Sequence, residues 1–149
     1  MDGPIKRRTA IKAVAAGLML GLPAAQAQAV KVVELARLTK DWDAVEFNFG
    51  VDKAVLVRIP KPAKEAGRVL EVKQGGASLY LAAHLRVCTH QGCITPLPDA
   101  NHQMVCPCHE STYRAEDGSV VSGPAPRPLR GIRLEVRGAE VWATGLMEQ

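Results

Sequence analysis

Cys88-Thr89-His90-Gln91-Gly92-Cys93 and Cys106-Pro107-Cys108-His109-Glu110-Ser111 hold all four cysteines and two of the four histidines of this 149-residue chain. Each box sets one Cys and one His at chelating spacing, C-x-H in the first and C-x-x-H in the second, and each leaves one further Cys over. Fifteen residues separate His90 from Cys106, enough for two loops to approach one centre from either side. Such a ligand set can close a tetrahedron around one zinc ion, or divide into two thiolates and two neutral imidazoles around two irons. Zinc fingers space their ligands Cys to Cys and then His to His. Here each box mixes the two types and carries a spare thiol, which suits two irons better than one zinc.

The pattern resembles the Rieske [2Fe-2S] proteins. The resemblance implies one [2Fe-2S] cluster per chain, with Cys88 and Cys106 on the inner iron and His90 and His109 on the outer one. It also implies a disulfide between Cys93 and Cys108 that ties the two loops together, as is typical of respiratory members. Neutral imidazoles in place of two thiolates ease reduction and move the potential from about −400 mV to roughly −150 to +300 mV. An imidazole ligand can also lose its remaining N–H proton on oxidation, coupling electron to proton transfer. Contact with quinols suits such a group.

The same resemblance gives roles to residues outside the boxes. Ser111 and Tyr113 fall where high-potential members carry hydroxyls that hydrogen-bond to a bridging sulfide and a ligand sulfur, stabilising the reduced cluster. Gly123-Pro124-Ala125-Pro126 resembles the proline loop over the cluster, in which rigid φ values hold an apolar lid without stray N–H donors. Glu110 departs from the family, where a Gly usually follows the second His. A solvent-facing carboxylate is expected there. His84 and His102 are expected to have no metal role, and Trp42, Trp142 and Met104 to pack.

At the N-terminus Lys6, Arg7, Arg8 and Lys12 precede a mostly apolar run from Ala13 to Ala25, and Ala25-Gln26-Ala27 has the form of a cleavage site. The run of about 13 residues is short against the ~20 of a membrane span. Arg7-Arg8-Thr9-Ala10-Ile11-Lys12 resembles a twin-arginine export signal. Residues 1–27 are therefore expected to be an export signal, with a retained anchor as the alternative, and the mature domain to occupy 28–149. Either way the domain belongs in the periplasm or on the outer face of the cytoplasmic membrane, with membrane association possible through the N-terminus.

The formal net charge of +4 arises largely in that segment. Its first 27 residues hold four basic and one acidic side chain, leaving 15 basic against 14 acidic in the remainder. With 4% aromatic residues besides, the basic balance makes no case for nucleic acid.

Along the mature domain, short β segments alternate with Gly, Pro and charged turns. Strands are expected at 30–35, 45–49, 54–59, 69–73, 78–83, 132–136 and 141–144. Alternation is clearest at Ile132, Leu134 and Val136. Residues 60–67 read as an exposed connection with a helical turn around Lys64. The fold class is all-β, a Rieske-like antiparallel β sandwich or small barrel, with a two-loop cluster-binding subdomain inserted over about Leu85 to Pro128.

An electron-transfer subunit follows from this, with substrate chemistry on a partner. The first expectation is the small subunit of an exported molybdenum oxidoreductase such as arsenite oxidase, beside a molybdopterin subunit and a cytochrome c-type acceptor. Short length, the export signal, Val33-Glu34-Leu35 and Glu46-Phe47-Asn48-Phe49 carry it. The alternative is the Rieske subunit of a quinol–cytochrome c reductase of bc type, beside a cytochrome b, and a zinc-stabilised binding module is a remote third. Replacement of Arg7 and Arg8 by Lys is expected to leave precursor in the cytoplasm, and mass spectrometry of the exported protein to find a terminus near Gln28; an exported double variant would overturn the twin-arginine reading.

Overall fold

A computed structural model describes residues 28–64 and 67–149; the segment read as an export signal lies outside them. Ten strands follow one another: β1 Val30–Glu34, β2 Ala44–Phe49, β3 Asp52–Ile59, β4 Val69–Gln74, β5 Ala77–Leu85, β6 Gln103–Val105, β7 Thr112–Arg114, β8 Val120–Ser122, β9 Ile132–Arg137 and β10 Glu140–Leu146. A single 3-10 turn, Leu35–Arg37, is the one helical element among the described residues. All seven expected strands are present, with ends differing by a residue or two. Around Lys64 the expected helical turn is instead a bend at Ala63 and Lys64. Pro62 disfavours helical backbone at Lys61, so the chain enters this segment extended.

The strands form three antiparallel sheets, in the orders β1-β10-β9, β2-β3-β5-β4 and β6-β7-β8. The four-stranded sheet is the middle layer, and its central strand explains why. Ala54-Val55-Leu56-Val57 is a continuous apolar run, the mark of a strand buried on both faces. Ala54 and Leu56 face a core shared with β9 and β10 through Ile132, Leu134, Val141 and Ala143. Val55, Val57 and Ile59 face the opposite way, into a second core with Met104, Tyr113, Ala115 and Leu129. That second core also contains Cys88 and Cys106. Chain order therefore places the metal-binding boxes, which lie between β5 and β9, on one face of a rigid sheet.

Three further contacts fasten the segment between β5 and β9 to the middle sheet. Trp42 and His102 both have left-handed backbones, at φ 73° and 59°, and stack with ring centroids 3.7 Å apart. Arg86, buried at the end of β5, donates from Nε to the Thr95 carbonyl at 2.7 Å and pairs with Glu46 of β2. Its guanidinium holds the Glu46 carboxyl below the usual range. His84, fully buried, donates from Nε2 to the Ala115 carbonyl at 3.0 Å, just beyond β7.

His84 has a measurable consequence. Its Nδ1 has no hydrogen-bond partner among the described residues. Burial pushes its pKa from 6.5 down to about 4; the Ala115 carbonyl opposes the shift, as does Asp117, while Arg68 adds to it. Between those values the unfolded chain binds the extra proton and the folded chain does not, so stability rises with pH over that window and is lost as the pH is lowered through it. The fall due to His84 is about 3 kcal/mol from the size of the shift. Urea unfolding of wild type and His84→Gln at pH 7, 5.5 and 4 should show the variant losing less stability than wild type over that range; parallel losses would contradict it.

Candidate metal centre

The two boxes fold as loops of one backbone design. In the first, Cys88 N–H donates to the Cys93 carbonyl and Gly92 N–H to the Cys88 carbonyl, both at 2.8 Å. In the second, Cys106 N–H donates to the Ser111 carbonyl at 2.8 Å and Glu110 N–H to the Cys106 carbonyl at 3.0 Å. The fifth residue of each loop turns the chain back through a positive φ, 79° at Gly92 and 59° at Glu110. Glycine adopts that conformation without steric penalty, whereas an ordinary L-residue meets about 1–2 kcal/mol of strain.

This design sorts the ligands by depth. Cys88 and Cys106 sit at the loop bases, 3% and 1% exposed. His90 is half-buried and His109 exposed. Their rings meet edge to face with centroids 4.7 Å apart. Two thiols below and two imidazoles above is the arrangement a two-iron cluster of mixed ligation needs.

The spare cysteines, Cys93 and Cys108, form the disulfide that the resemblance implies. Cys88 and Cys106 remain as the free thiols. The sulfurs of Cys93, Cys106 and Cys108 lie within 4.8 Å of one another. Two of the three are spent in the disulfide, so the trio is not a ligand set.

Tyr113, fully buried on β7, reaches across to the first loop. Its hydroxyl lies 3.1 Å from the Cys88 sulfur and accepts from Thr89 N–H at 3.1 Å. Thr89 Oγ1, 3.2 Å from that hydroxyl, donates its own proton to the Arg127 carbonyl at 2.6 Å. The Tyr113 proton is thereby left for Cys88 or Thr89 Oγ1. Burial works against ionisation of Cys88, but the Tyr113 hydroxyl and the nearby backbone N–H groups of His90 and Gln91 outweigh it and hold the thiol below its ordinary range. Burial, with the Cys88 charge beside it, pushes the Cys106 thiol up. Burial likewise raises the Tyr113 hydroxyl, which stays a donor.

Ser111, also fully buried, accepts from Ala125 N–H through its hydroxyl at 3.1 Å and so fastens the 123–126 loop to the second box. Gly123, at φ 92°, lies so close that a Cβ there would come 2.6 Å from Ser111 Cα and 3.1 Å from the Glu110 carbonyl. Pro124 and Pro126 are exposed beside the loops, with Ala125 half-buried between them. Met104 is fully buried in the second core, and Trp142 lies under the Arg137 guanidinium at 5.0 Å. Sequence reasoning had no signal for Thr89 or Arg86, whose roles depend on what the fold brings opposite them.

Residues 30–133 match the Rieske [2Fe-2S] domain. The chain therefore belongs to the Rieske [2Fe-2S] family, and its cofactor is a [2Fe-2S] cluster, which this donor set fits. Among curated proteins it is 39% identical over 74 residues to the cytochrome b6-f complex iron-sulfur subunit of Chlorobaculum thiosulfatiphilum, covering 50% of this chain and 39% of that one. It is 46% identical over 66 residues to the chloroplastic subunit of the same name from Bigelowiella natans, covering 44% and 26%. The matched stretches thus span well under half of these relatives. Among solved structures, the soluble domain of Rieske protein II from Sulfolobus acidocaldarius is similar at 27% identity and a TM-score of 0.59, covering 80% of this chain and 78% of that one. A zinc-stabilised binding module gains no support from these likenesses.

Two of the left-handed positions of the site, Gly123 and Glu110, predict opposite effects. Gly123→Ala is expected to destabilise the protein by about 1–3 kcal/mol, through positive φ and collision with the Ser111 backbone. Glu110→Gly is expected to stabilise it by about 1 kcal/mol, through relief at the turn. Denaturant unfolding of both variants checks the pair, and a Gly123→Ala protein as stable as wild type would contradict the close packing.

Proposed function

We propose that this chain is an exported Rieske electron-transfer subunit of a quinol-oxidising complex built around a cytochrome b, with Cys88 and Cys106 on the inner iron and His90 and His109 on the outer. This is the alternative rather than the first of the sequence expectations. The kinship to cytochrome b6-f iron-sulfur subunits supports it. The observation that carries the ligand reading is the depth ordering of the four side chains, thiols at the loop bases and imidazoles at the surface.

The cluster supplies one-electron redox chemistry in the mid-to-high potential range. The chain's residues supply its surroundings. His90 and His109 present ring edges to an incoming quinol, and the ring nitrogen not committed to iron can accept a hydrogen bond or a proton there. The Cys93–Cys108 disulfide ties the two loops together, and the Ser111 hydroxyl fastens the 123–126 loop beside them. Ser111 and Tyr113 are proposed to tune the potential by donating hydrogen bonds that strengthen as negative charge builds up on reduction. A cytochrome c-type protein is the proposed acceptor, and the periplasm or outer membrane face the proposed location, with 1–27 as the export signal or anchor.

The molybdenum-enzyme reading differs in its partner, a molybdopterin subunit in place of a cytochrome b. Affinity capture of the tagged chain from native membranes separates the two readings. A copurifying b-type haem spectrum is expected; stoichiometric molybdenum without b haem would reverse the choice.

The ligand reading has its own test. The folded protein is expected to contain two irons and two labile sulfides and to give an EPR signal on one-electron reduction; stoichiometric zinc without labile sulfide would sink it. A hydrogen bond to a charged group contributes roughly 1.5–3 kcal/mol, which bounds the effect of one donor at roughly 65–130 mV. Because the oxidised cluster also accepts the bond, Ser111→Ala and Tyr113→Phe are each expected to lower the midpoint by some tens of millivolts with iron content unchanged. Voltammetry at one pH measures both, and unmoved potentials would remove the tuning role.

A further inference from the structure

We infer that Glu110 is a specificity-determining residue for electron transfer, giving the tip of this protein a fixed negative charge that selects redox partners presenting Lys or Arg at the contact. The inference rests on the proposed ligation of iron by His109, since that reading makes the tip the point where electrons enter or leave.

The two loops share one backbone design, and Glu110 occupies in the second the position that Gly92 occupies in the first. Space around the Gly92 position is open, with nothing within 4 Å of an added Cβ, so positive φ rather than crowding is what favours glycine there. At Glu110 the same φ is adopted by a residue with a side chain, at the cost of strain. That side chain does nothing for the fold that would offset the strain. It is exposed, and among the described residues it makes no hydrogen bond and no ion pair.

What the carboxylate does carry is charge, and in this place it has little competition. Across residues 88–97, 106–111 and 123–126, Glu110 is the single Asp, Glu, Lys or Arg. The basic residue nearest these segments along the chain is Arg127, exposed just after the proline loop, whose carbonyl accepts from Thr89 Oγ1. Glu110 is joined directly to His109, so its charge stands within a screening length, about 8 Å at physiological salt, of the exposed imidazole. A partner docking on that imidazole meets the carboxylate at the contact. Opposite charge across such a contact speeds encounter and holds register, and like charge penalises it.

Two small oxidants of opposite sign read this field without a protein partner: tris(phenanthroline)cobalt(III), a trication, and hexacyanoferrate(III), a trianion. The chemically reduced full-length protein is mixed with each in a stopped-flow instrument, for wild type, Glu110→Gln and Glu148→Gln. Glu110→Gln keeps the strained backbone and removes the charge. Glu148→Gln removes one charge beside Arg68 and Arg133 at the base sheets. Midpoint potentials of all three are measured so that rates are compared at equal driving force.

The ratio of cobalt rate to hexacyanoferrate rate is expected to fall about three- to tenfold in Glu110→Gln at low salt, to stay near wild type in Glu148→Gln, and to converge for all three near 1 M salt, where the screening length is about 3 Å. An unchanged ratio in Glu110→Gln, an equal change in Glu148→Gln, or a change that survives high salt would each overturn the inference. Iron content and the reduced EPR signal are recorded on the same samples. A wild type lacking the cluster would count against the ligand reading itself, and the inference would fall with it; an intact cluster with an unchanged ratio would count against Glu110 alone.

Discussion

A backbone hydrogen bond from the fifth residue of each metal-binding box to the carbonyl of its first cysteine governs this structure. It forces the chain back on itself within one short loop. The cysteine at the base must then point into the core, and the histidine at the crest must point out. Two loops built this way, facing each other, convert two six-residue boxes into one site with thiols on the floor and imidazoles on the rim. The turn needs a positive φ at its fifth residue, which Gly92 meets without strain and Glu110 meets against it. The disulfide between Cys93 and Cys108 then fixes the spacing between loops whose individual shapes are already determined.

The loops are held because the sheet beneath them cannot shift without exposing two cores. β3 and β5 are buried on both faces, so the middle sheet is bound to the β1-β10-β9 sheet on one side and to the small sheet on the other. Tyr113 transmits that rigidity to the site. Its ring fills the second core while its hydroxyl ends beside Cys88, and the same hydroxyl accepts the Thr89 N–H. One side chain therefore packs the floor, orders the first loop and lowers the pKa of a thiol. His84 and Arg86 fasten neighbouring parts of the structure by pairing polar groups that burial would otherwise penalise, and Trp42 and His102 add a ring stack.

An electron carrier needs reorganisation to be small and its contact face to be defined, and both follow from this arrangement. Cys88 and Cys106 are buried at the loop bases, and the disulfide and the Ser111–Ala125 hydrogen bond hold the surrounding loops together. Within the two boxes and the proline loop Glu110 is the one formally charged side chain, so a single carboxylate there weighs on what docks against His109.

Much of this was written in local sequence. Period-two alternation in β9, the double-faced apolar run in β3, and the Cys and His spacing of the boxes depend only on neighbours in the chain, and these determined the all-β class, seven strands, the ligand candidates and the family. Three elements did not show because their causes are not local. β6, β7 and β8 are three residues each, too short for periodicity, and exist because pairing and the second core hold them. The positive φ at Glu110, Trp42 and His102 is imposed by turns that close only in three dimensions, since no side chain there announces it as glycine does. His84 reads as one more polar residue on a strand. Its depressed pKa arises because two sheets close over it, and desolvation is a property of everything packed around a group rather than of the residues beside it in sequence.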